Sequence, residues 1–249
     1  MAVFASVLAG LRLTATVHSA GPLSRADIEA LDMAERVFGI SGHTVRALRE
    51  WDIHAELVYP SAAVSPSWRP GRALERDRSG VVVFVPELPV DSSVLVDAAH
   101  RVGGDARFWA AGDADERLRE EVASTGLSRR IAFFGPTIPG EASLLTATSD
   151  IVFLPEMPAA SDLPFPVVMA MEAGLPIVGP KARGLREVLS GHMFDDPSGK
   201  AAAEALAPLI ADEGLRRRAG ERNRRFAAEN LGPGNVDKLR RAFMDPTGG

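Results

Sequence analysis

The stretch DIVFLPEMPAASDLPFPVVMAMEAGLPIVGPKARGLREVL, from Asp150 to Leu189, indicates the fold class of this chain. It is typical of a strand, a loop, a short helix, a second strand, a turn that bears a glycine, and a further helix. In an open parallel sheet, the loops at the carboxyl ends of the strands are where ligands bind. The stretch therefore predicts an α/β protein with its ligand beside these loops.

The alternation of strands and helices begins upstream of this stretch, at VVVFVP (81–86). This nearly continuous apolar run is typical of a strand that is buried on both faces of a sheet. ARFWAAG (106–112) and RIAFFG (130–135) are predicted as further strands, each followed by a helical pattern. Alternating strands and helices imply right-handed crossovers and a parallel sheet. Residues 79–249 are therefore predicted as a Rossmann-like domain with C-terminal helices.

Residues 1–78 are predicted as a reduced N-terminal α/β segment that ends in a linker rich in proline, glycine and serine. The pattern predicts strands over 11–19, 38–41 and 55–60, and helices over 24–38 and 43–52. Ser24, followed by Asp27 three residues later, resembles a capping box at a helix start. The second helix is predicted to carry Val45, Leu48 and Trp51 on one face.

The composition argues against several classes of protein. The formal net charge of -5 is unlike that of a general nucleic-acid binder. The absence of cysteine excludes disulfides and thiolate ligands. No metal-ligand spacing is present among the scattered His43, His54, His100 and His192, so we predict no metal site and no cofactor. The N-terminal apolar run lacks the features of a signal peptide, and no run reaches the ~18 apolar residues that a membrane span needs. We therefore expect a cytoplasmic protein without a membrane span.

Five short motifs follow one another between residues 106 and 200: RRIAFFG, TSDIVFLP, AMEAGLPIVG, ARGLREVL and GHMFDDPSG. In this order and spacing they resemble the C-terminal half of the retaining, nucleotide-sugar-dependent glycosyltransferases of family four, which have the GT-B fold. Upstream, ATVHSAGPLSRADIEALDMAERVFGISGHTVRALREW resembles the last part of that family's N-terminal domain. The resemblance implies a GT-B-like Rossmann domain that binds a nucleotide sugar, and a C-terminal helix that packs back on the N-terminal segment.

The chain also departs from the family pattern. It begins almost at the strand that ends in His18, so most of the acceptor-binding half is expected to be absent and the chain to be truncated. The family places an arginine and a lysine after the first strand of the C-terminal domain, where they neutralise the donor diphosphate. Here Glu87 occupies that region, and the first lysine is Lys181. The two family glutamates that lie by the donor sugar and ribose correspond to Ser161 and Met169.

The resemblance implies sugar and ribose contacts for four residues. His18 matches the strand-end histidine beside the transferred sugar and is predicted to be catalytic, by proton transfer or by a hydrogen bond to a sugar hydroxyl; the alternative is a structural histidine. Ser161 and Asp162 are predicted to hold sugar hydroxyls, and the alternative is an Asx turn or a solvent-exposed loop. Glu172 is predicted to substitute for the ribose-binding carboxylate, and the alternative is a helix-surface glutamate.

Two further groups are predicted to bind the nucleotide. Gly135 and Thr137 lie in the turn that matches the family's base-binding backbone, and the alternative is a tight turn without a ligand. Lys181, Arg183 and Gly184 lie between strand PIVG and helix LREVL. A helix N-terminus with flanking cations suits an anion, so these three are predicted to bind the diphosphate. The alternative is a solvated turn.

These observations favour a glycosyltransferase-like protein that moves a sugar from a UDP- or GDP-type nucleotide sugar to the hydroxyl of a small-molecule acceptor, with a divergent donor site. One alternative is a non-catalytic GT-B-like subunit that binds a nucleotide or a partner glycosyltransferase. Another is a hydrolase or phosphorylase of a nucleoside-type ligand, and the fold alone does not decide among them. A homodimer and a heteromer with a glycosyltransferase both stay open, and no nucleic-acid partner is expected.

Overall fold

A three-stranded parallel sheet forms the N-terminal part of the protein. The structure is a computed structural model that describes residues 13–19, 21, 23–61, 80–88, 91–157, 162–182 and 184–244. The strands are β1 (Thr14–Val17), β2 (Arg36–Gly39) and β3 (Ala55–Leu57), and they pair in the order β1-β2-β3. Helices α1 (Arg25–Asp32) and α2 (Gly42–Arg49) connect them. Most of the predicted linker lies outside the described residues.

Helix α1 is shorter than the pattern over residues 24–38 predicts. It ends at Asp32, and Val37 and Phe38 are buried in β2 instead. Val37 pairs with Ala15 of β1 on one side and with Ala55 of β3 on the other. The prediction was wrong because the apolar residues of a short strand can continue a helical spacing, and strand pairing then decides the structure.

The predicted start of α1 is present, whereas α2 ends earlier than predicted. The Asp27 N–H donates to Ser24 Oγ at 3.2 Å, and the Ser24 N–H donates to Asp27 Oδ2 at 2.9 Å, which completes a capping box. Val45 and Leu48 of α2 are buried as predicted. Trp51 lies beyond the end of the helix and is 55% exposed, so its predicted place on the same helix face as Val45 and Leu48 is wrong.

The larger sheet has six parallel strands in the order of a Rossmann fold. These strands are β4 (Val81–Val85), β5 (Ala106–Ala111), β6 (Ile131–Gly135), β7 (Ile151–Phe153), β8 (Ile177–Pro180) and β9 (Met193–Phe194). They pair in the order β6-β5-β4-β7-β8-β9. The order reverses between β4 and β7, and doubly wound folds bind their ligands at the carboxyl ends of the strands at this switch point. The predicted fold class is confirmed.

Helices cover both faces of this sheet. They are α3 (Ser93–Arg101), α4 (Glu116–Ser124), α5 (Pro139–Ala147), α6 (Phe165–Ala173), α7 (Leu185–Val188), α8 (Gly199–Ala211), α9 (Glu213–Asn230) and α10 (Gly234–Met244). Val83 of β4 and Leu206 of α8 belong to the core of one face, and Phe84 and Val168 of α6 belong to the core of the other. Because β4 is buried on both sides, its sequence is a continuous apolar run. Within the described ranges, no helix is both long and apolar enough to cross a bilayer.

The last helix, α10, returns to the N-terminal sheet. Leu239 and Ala242 of α10 form an apolar cluster with Phe38 of β2 and with Val58, which follows β3. The chain therefore leaves the N-terminal sheet after β3, forms the larger sheet, and comes back to cover the smaller one. This is the packing that the family resemblance implies.

The docking of α10 depends on pH, because Lys238 of this helix forms an ion pair with Glu56 of β3. Burial raises the pKa of this carboxyl, but hydrogen bonds from Arg36 and Lys238 outweigh burial and bring the pKa below its usual 4.5. Glu56 therefore contributes stability above pH 4.5, and this contribution is lost as the pH falls through the lower folded-state pKa. We expect the urea midpoint of Glu56→Gln to fall less than that of the wild type between about pH 6 and about pH 3. Equal decreases in the two proteins would contradict this expectation.

Candidate functional site

The carboxyl ends of the two sheets face each other. After β1, the carbonyl of His18 accepts a hydrogen bond at 2.9 Å from the N–H of Asp162, in the loop between β7 and α6. After β2, the N–H of Gly42 donates to Glu187 Oε2 of α7 at 2.7 Å. After β3, Tyr59 packs edge-on against an aromatic ring of α9. The inter-sheet junction, as we call it, lies beside the loops where the sequence predicts the ligand, and it consists of the six residues of these contacts: His18, Gly42, Tyr59, Asp162, Glu187 and Phe226.

Asp162 is a fully buried carboxylate in this junction. Its Oδ2 accepts a hydrogen bond from the Thr44 hydroxyl at 2.8 Å, and its Oδ1 accepts one from the Ser19 hydroxyl at 3.4 Å. A buried carboxylate needs such donors because burial of an uncompensated charge is costly. For Asp162, the alternative of a solvent-exposed position is therefore wrong. The contact with His18 brings two of the predicted site residues together, and their binding of a sugar stays a prediction.

Glu187 is a junction residue that the sequence analysis missed. Its carboxylate accepts a hydrogen bond from the N–H of Gly42 and forms an ion pair with Arg46. It therefore caps the first turn of α2, where unpaired N–H groups carry a partial positive charge. Burial raises the pKa of the Tyr59 hydroxyl, and the charge of Glu187 adds to this rise. No local signal marks Glu187, because Gly42 lies 145 positions away in the sequence.

Gly184 lies where three segments approach one another. A Cβ at this position would lie 2.5 Å from the carbonyl oxygen of Asp162 and 3.1 Å from the Cβ of Ser41. A side chain does not fit at such distances, so packing alone accounts for the glycine. The predicted phosphate contact of Gly184 would use its backbone, and it stays a prediction.

The predicted phosphate-binding lysine lies next to β8. Lys181 follows this strand, and its Nζ forms an ion pair with Asp195 at 3.0 Å; the two side chains are 40% and 77% exposed. An ion pair this exposed is weak, so Lys181 can exchange its partner for another anion. Arg183 and Ser161 lie outside the described residues, and their predicted roles stay predictions.

The turn that is predicted to hold the base lies at one edge of the larger sheet. Gly135 ends β6 with φ of +73°, and its carbonyl accepts a hydrogen bond from the N–H of Gly112 at 2.8 Å. A positive φ favours glycine, so the tight turn alone explains this residue. Thr137 follows the turn and is half-buried. Since β5 and β4 separate β6 from β7, three strand spacings of about 4.8 Å separate this turn from the loop that carries Asp162.

The predicted ribose-binding region lies on α6. Met169 is 5% exposed and belongs to the apolar core, so it offers no oxygen to a ribose hydroxyl. Glu172 lies on the same helix, is half-buried and has an interaction partner. Its predicted role as the substitute carboxylate stays a prediction.

The charge at the switch point is negative where the family pattern is positive. Glu87, two residues after β4, is exposed there. A carboxylate at this position repels a diphosphate. In the described part of the chain, no three His, Cys, Asp or Glu side chains are grouped so that they could hold a metal ion.

Comparison with known proteins places the chain in a family. Residues 74–226 match the family described as Glycosyl transferases group 1. D-inositol 3-phosphate glycosyltransferase from Corynebacterium glutamicum (strain R) is 32% identical over 126 residues, which are 48% of this chain and 28% of that protein. The matched region therefore spans less than a third of that relative.

Solved structures show the same fold at lower identity. The structure of Anabaena Alr3699/HepE in complex with UDP has a TM-score of 0.80 at 19% identity, and the match covers 98% of this chain and 75% of that one. Sucrose-phosphate synthase (tll1590) from Thermosynechococcus elongatus has a TM-score of 0.78 at 16% identity, with 95% of this chain and 69% of that one covered. The family match extends over more than half of the chain. This chain belongs to the group 1 glycosyltransferases.

Proposed function

We propose that this protein binds a nucleotide sugar beside the inter-sheet junction and transfers the sugar to an acceptor hydroxyl. The observation that carries this proposal is the direct contact between His18 and Asp162, which follow strands of different sheets. Two residues that were singled out for sugar contacts thus meet at the carboxyl ends of the strands, where α/β folds bind ligands. The fold likeness to a protein in complex with UDP supports the choice of a nucleotide as ligand.

In this proposal, the chain contributes orientation and charge. The bond between the anomeric carbon and the diphosphate breaks, and the acceptor oxygen forms the new bond to that carbon. Lys181 and Arg183 stabilise the negative charge that develops on the leaving diphosphate. His18 is exposed, and it donates a hydrogen bond to the sugar or accepts the proton of the acceptor hydroxyl. The turn at Gly135 holds the base through its backbone.

We expect calorimetric titration to detect binding of UDP, GDP or ADP, and we expect Lys181→Ala to weaken that binding by about tenfold or more, because a charge-assisted contact is lost. Lys200→Ala is the matched control, since Lys200 is an exposed lysine of α8. Equal affinities of the two variants would refute the role of Lys181. No binding of any nucleotide by the wild type would refute the proposed function for this chain.

A second candidate, a non-catalytic subunit, is favoured by Glu87 and Met169. Glu87 opposes a diphosphate at the switch point, and Met169 offers no ribose ligand. The two functions differ in the release of the nucleoside diphosphate, which transfer or hydrolysis requires and simple binding does not. A coupled assay for released UDP or GDP separates them: release that His18→Ala abolishes supports the enzyme, and binding without release supports the subunit.

A further inference from the structure

We propose that Thr44 and Asp162 are positioning residues that hold the loop carrying His18 against the C-terminal half of the protein. This inference deepens the proposed function, because it concerns the residue to which that function assigns the sugar contact. It requires that a hydrogen-bonded path run from a rigid element to the backbone of His18, and each link of such a path is present.

The first link is the anchoring of Thr44 in α2. Thr44 lies in the first turn of this helix and is fully buried. Its N–H donates to Ser41 Oγ at 3.0 Å, and the two hydroxyl oxygens lie 2.9 Å apart. Ser41 is the N-cap residue, so the Thr44 side chain is held by the helix start rather than by a loop.

The second link is the direction of the hydrogen bonds. The Thr44 hydroxyl donates its single hydrogen to Asp162 Oδ2, at 2.8 Å. The oxygen of Thr44 can then only accept from the Ser41 hydroxyl. The order of donors is therefore Ser41 to Thr44 to Asp162, and each hydroxyl has one defined orientation.

The third link joins Asp162 to the loop after β1. The N–H of Asp162 donates to the carbonyl of His18 at 2.9 Å, and Asp162 Oδ1 lies 3.4 Å from the hydroxyl of Ser19. The Ser19 oxygen also accepts from the N–H of Gly21 at 3.2 Å. Asp162 thus holds two consecutive residues of this loop, through its backbone and its side chain, while the imidazole of His18 is exposed.

The other side of Asp162 is fixed by the close approach of Gly184. A Cβ on Gly184 would lie 2.5 Å from the carbonyl oxygen of Asp162. Asp162 therefore cannot move closer to Gly184 without a backbone shift. Loss of the Thr44 hydroxyl should loosen the loop at His18, because it removes the hydrogen bond that ties the Asp162 side chain to the start of α2.

The test compares Thr44→Val, which removes the hydroxyl and keeps the shape, with Thr44→Ser, which keeps the hydroxyl. Thr146→Val is the matched control, because Thr146 is equally buried and its hydroxyl donates to the Ala142 carbonyl of its own helix. NMR records hydrogen exchange at the Asp162 amide and the imidazole signal of His18, which is assigned with His18→Gln.

We expect Thr44→Val to accelerate exchange at the Asp162 amide by about tenfold or more and to shift the His18 signal, since one charge-assisted hydrogen bond is lost. Thr44→Ser and Thr146→Val should leave both readouts unchanged. If Thr44→Val unfolds the protein, Asp162→Asn and Asp162→Ala are compared instead. The side chain of asparagine keeps an acceptor for the Thr44 hydroxyl, and that of alanine does not. Equal readouts for Thr44→Val and Thr146→Val, or for the two Asp162 variants, would overturn the proposal.

Neither readout requires turnover, so the positioning role and the proposed function can fail separately. A protein that releases no nucleotide, but whose His18 signal responds to Thr44→Val, would refute the enzyme and support the positioning role. If the protein is active, Thr44→Val should lower kcat and leave the affinity for the nucleotide unchanged. A loss of nucleotide affinity with unchanged kcat would argue against positioning of His18.

Discussion

Replacement of Gly220 by alanine should destabilise the protein by about 3 kcal/mol, which is at the upper end for an overpacked core. Gly220 lies inside α9, which packs on α6. A Cβ at this position would lie 1.9 Å from the carbonyl oxygen of Gly174 and 2.8 Å from its carbonyl carbon. Both of these are backbone atoms, and Gly174 ends α6 in the left-handed conformation with φ of +70°. Neither helix can yield by a side-chain rotation, so the two helices must separate.

The matched control is Gly214→Ala in the same helix. There a Cβ would meet only side-chain ends rather than backbone atoms, Asp212 Oδ1 at 3.1 Å and the Arg218 guanidinium at 3.2 Å. Alanine has the higher helix propensity, so this variant should be neutral or more stable by up to about 1 kcal/mol. Urea denaturation measures both variants. Similar midpoints for the two variants would show that α9 and α6 do not approach each other as closely as the structure indicates.

The second large effect is expected at Phe84, where alanine should cost about 3–5 kcal/mol. Phe84 is 1% exposed and lies in β4, which pairs with β5 on one side and with β7 on the other. The cavity would open between β4 and the elements that cover this face of the larger sheet, where Phe84 shares an apolar core with Val168 of α6. A domain is typically stable by about 5–15 kcal/mol, so this loss is a large fraction of the total.

Phe165→Ala is the control for this prediction, because Phe165 is 50% exposed at the start of α6. Its replacement by alanine should change the free energy of unfolding by less than about 1 kcal/mol. Thermal or urea unfolding of the two variants under the same conditions gives the comparison. A Phe84→Ala variant as stable as Phe165→Ala would mean that the core around β4 repacks.

The larger sheet could be predicted from the sequence because each of its elements carries its own signal. The run over Val81–Val85 is apolar at every position, and the strands after it alternate with helical patterns of the expected length. The boundary between α1 and β2 could not be predicted from such local signals. Three-residue spacing continues from the helix into Val37, and only pairing with β1 and β3 shows that this residue belongs to a strand.

The candidate site was predicted in part. The resemblance indicated His18 and Asp162 as neighbours of one ligand, and the structure brings them into contact. The burial of Asp162 could not be predicted, because the Thr44 hydroxyl that compensates its charge lies 118 positions away. The contacts of Glu187 could not be predicted either, because its partners Gly42 and Arg46 lie far away in the sequence, in α2. Local patterns indicate which elements form, but not which polar side chain of one element meets which of another.

The return of α10 to the N-terminal sheet has a consequence for folding during synthesis. The ring of Phe38 and the side chain of Val58 are covered by α10, which the ribosome makes only after the whole of the larger sheet. The smaller sheet is therefore synthesised before the larger sheet but covered by α10 only after it, and until then the apolar side chains under α10 are open to chaperones or to other nascent chains. Contacts between residues so distant in sequence also slow folding, so the docking of α10 should be the late step.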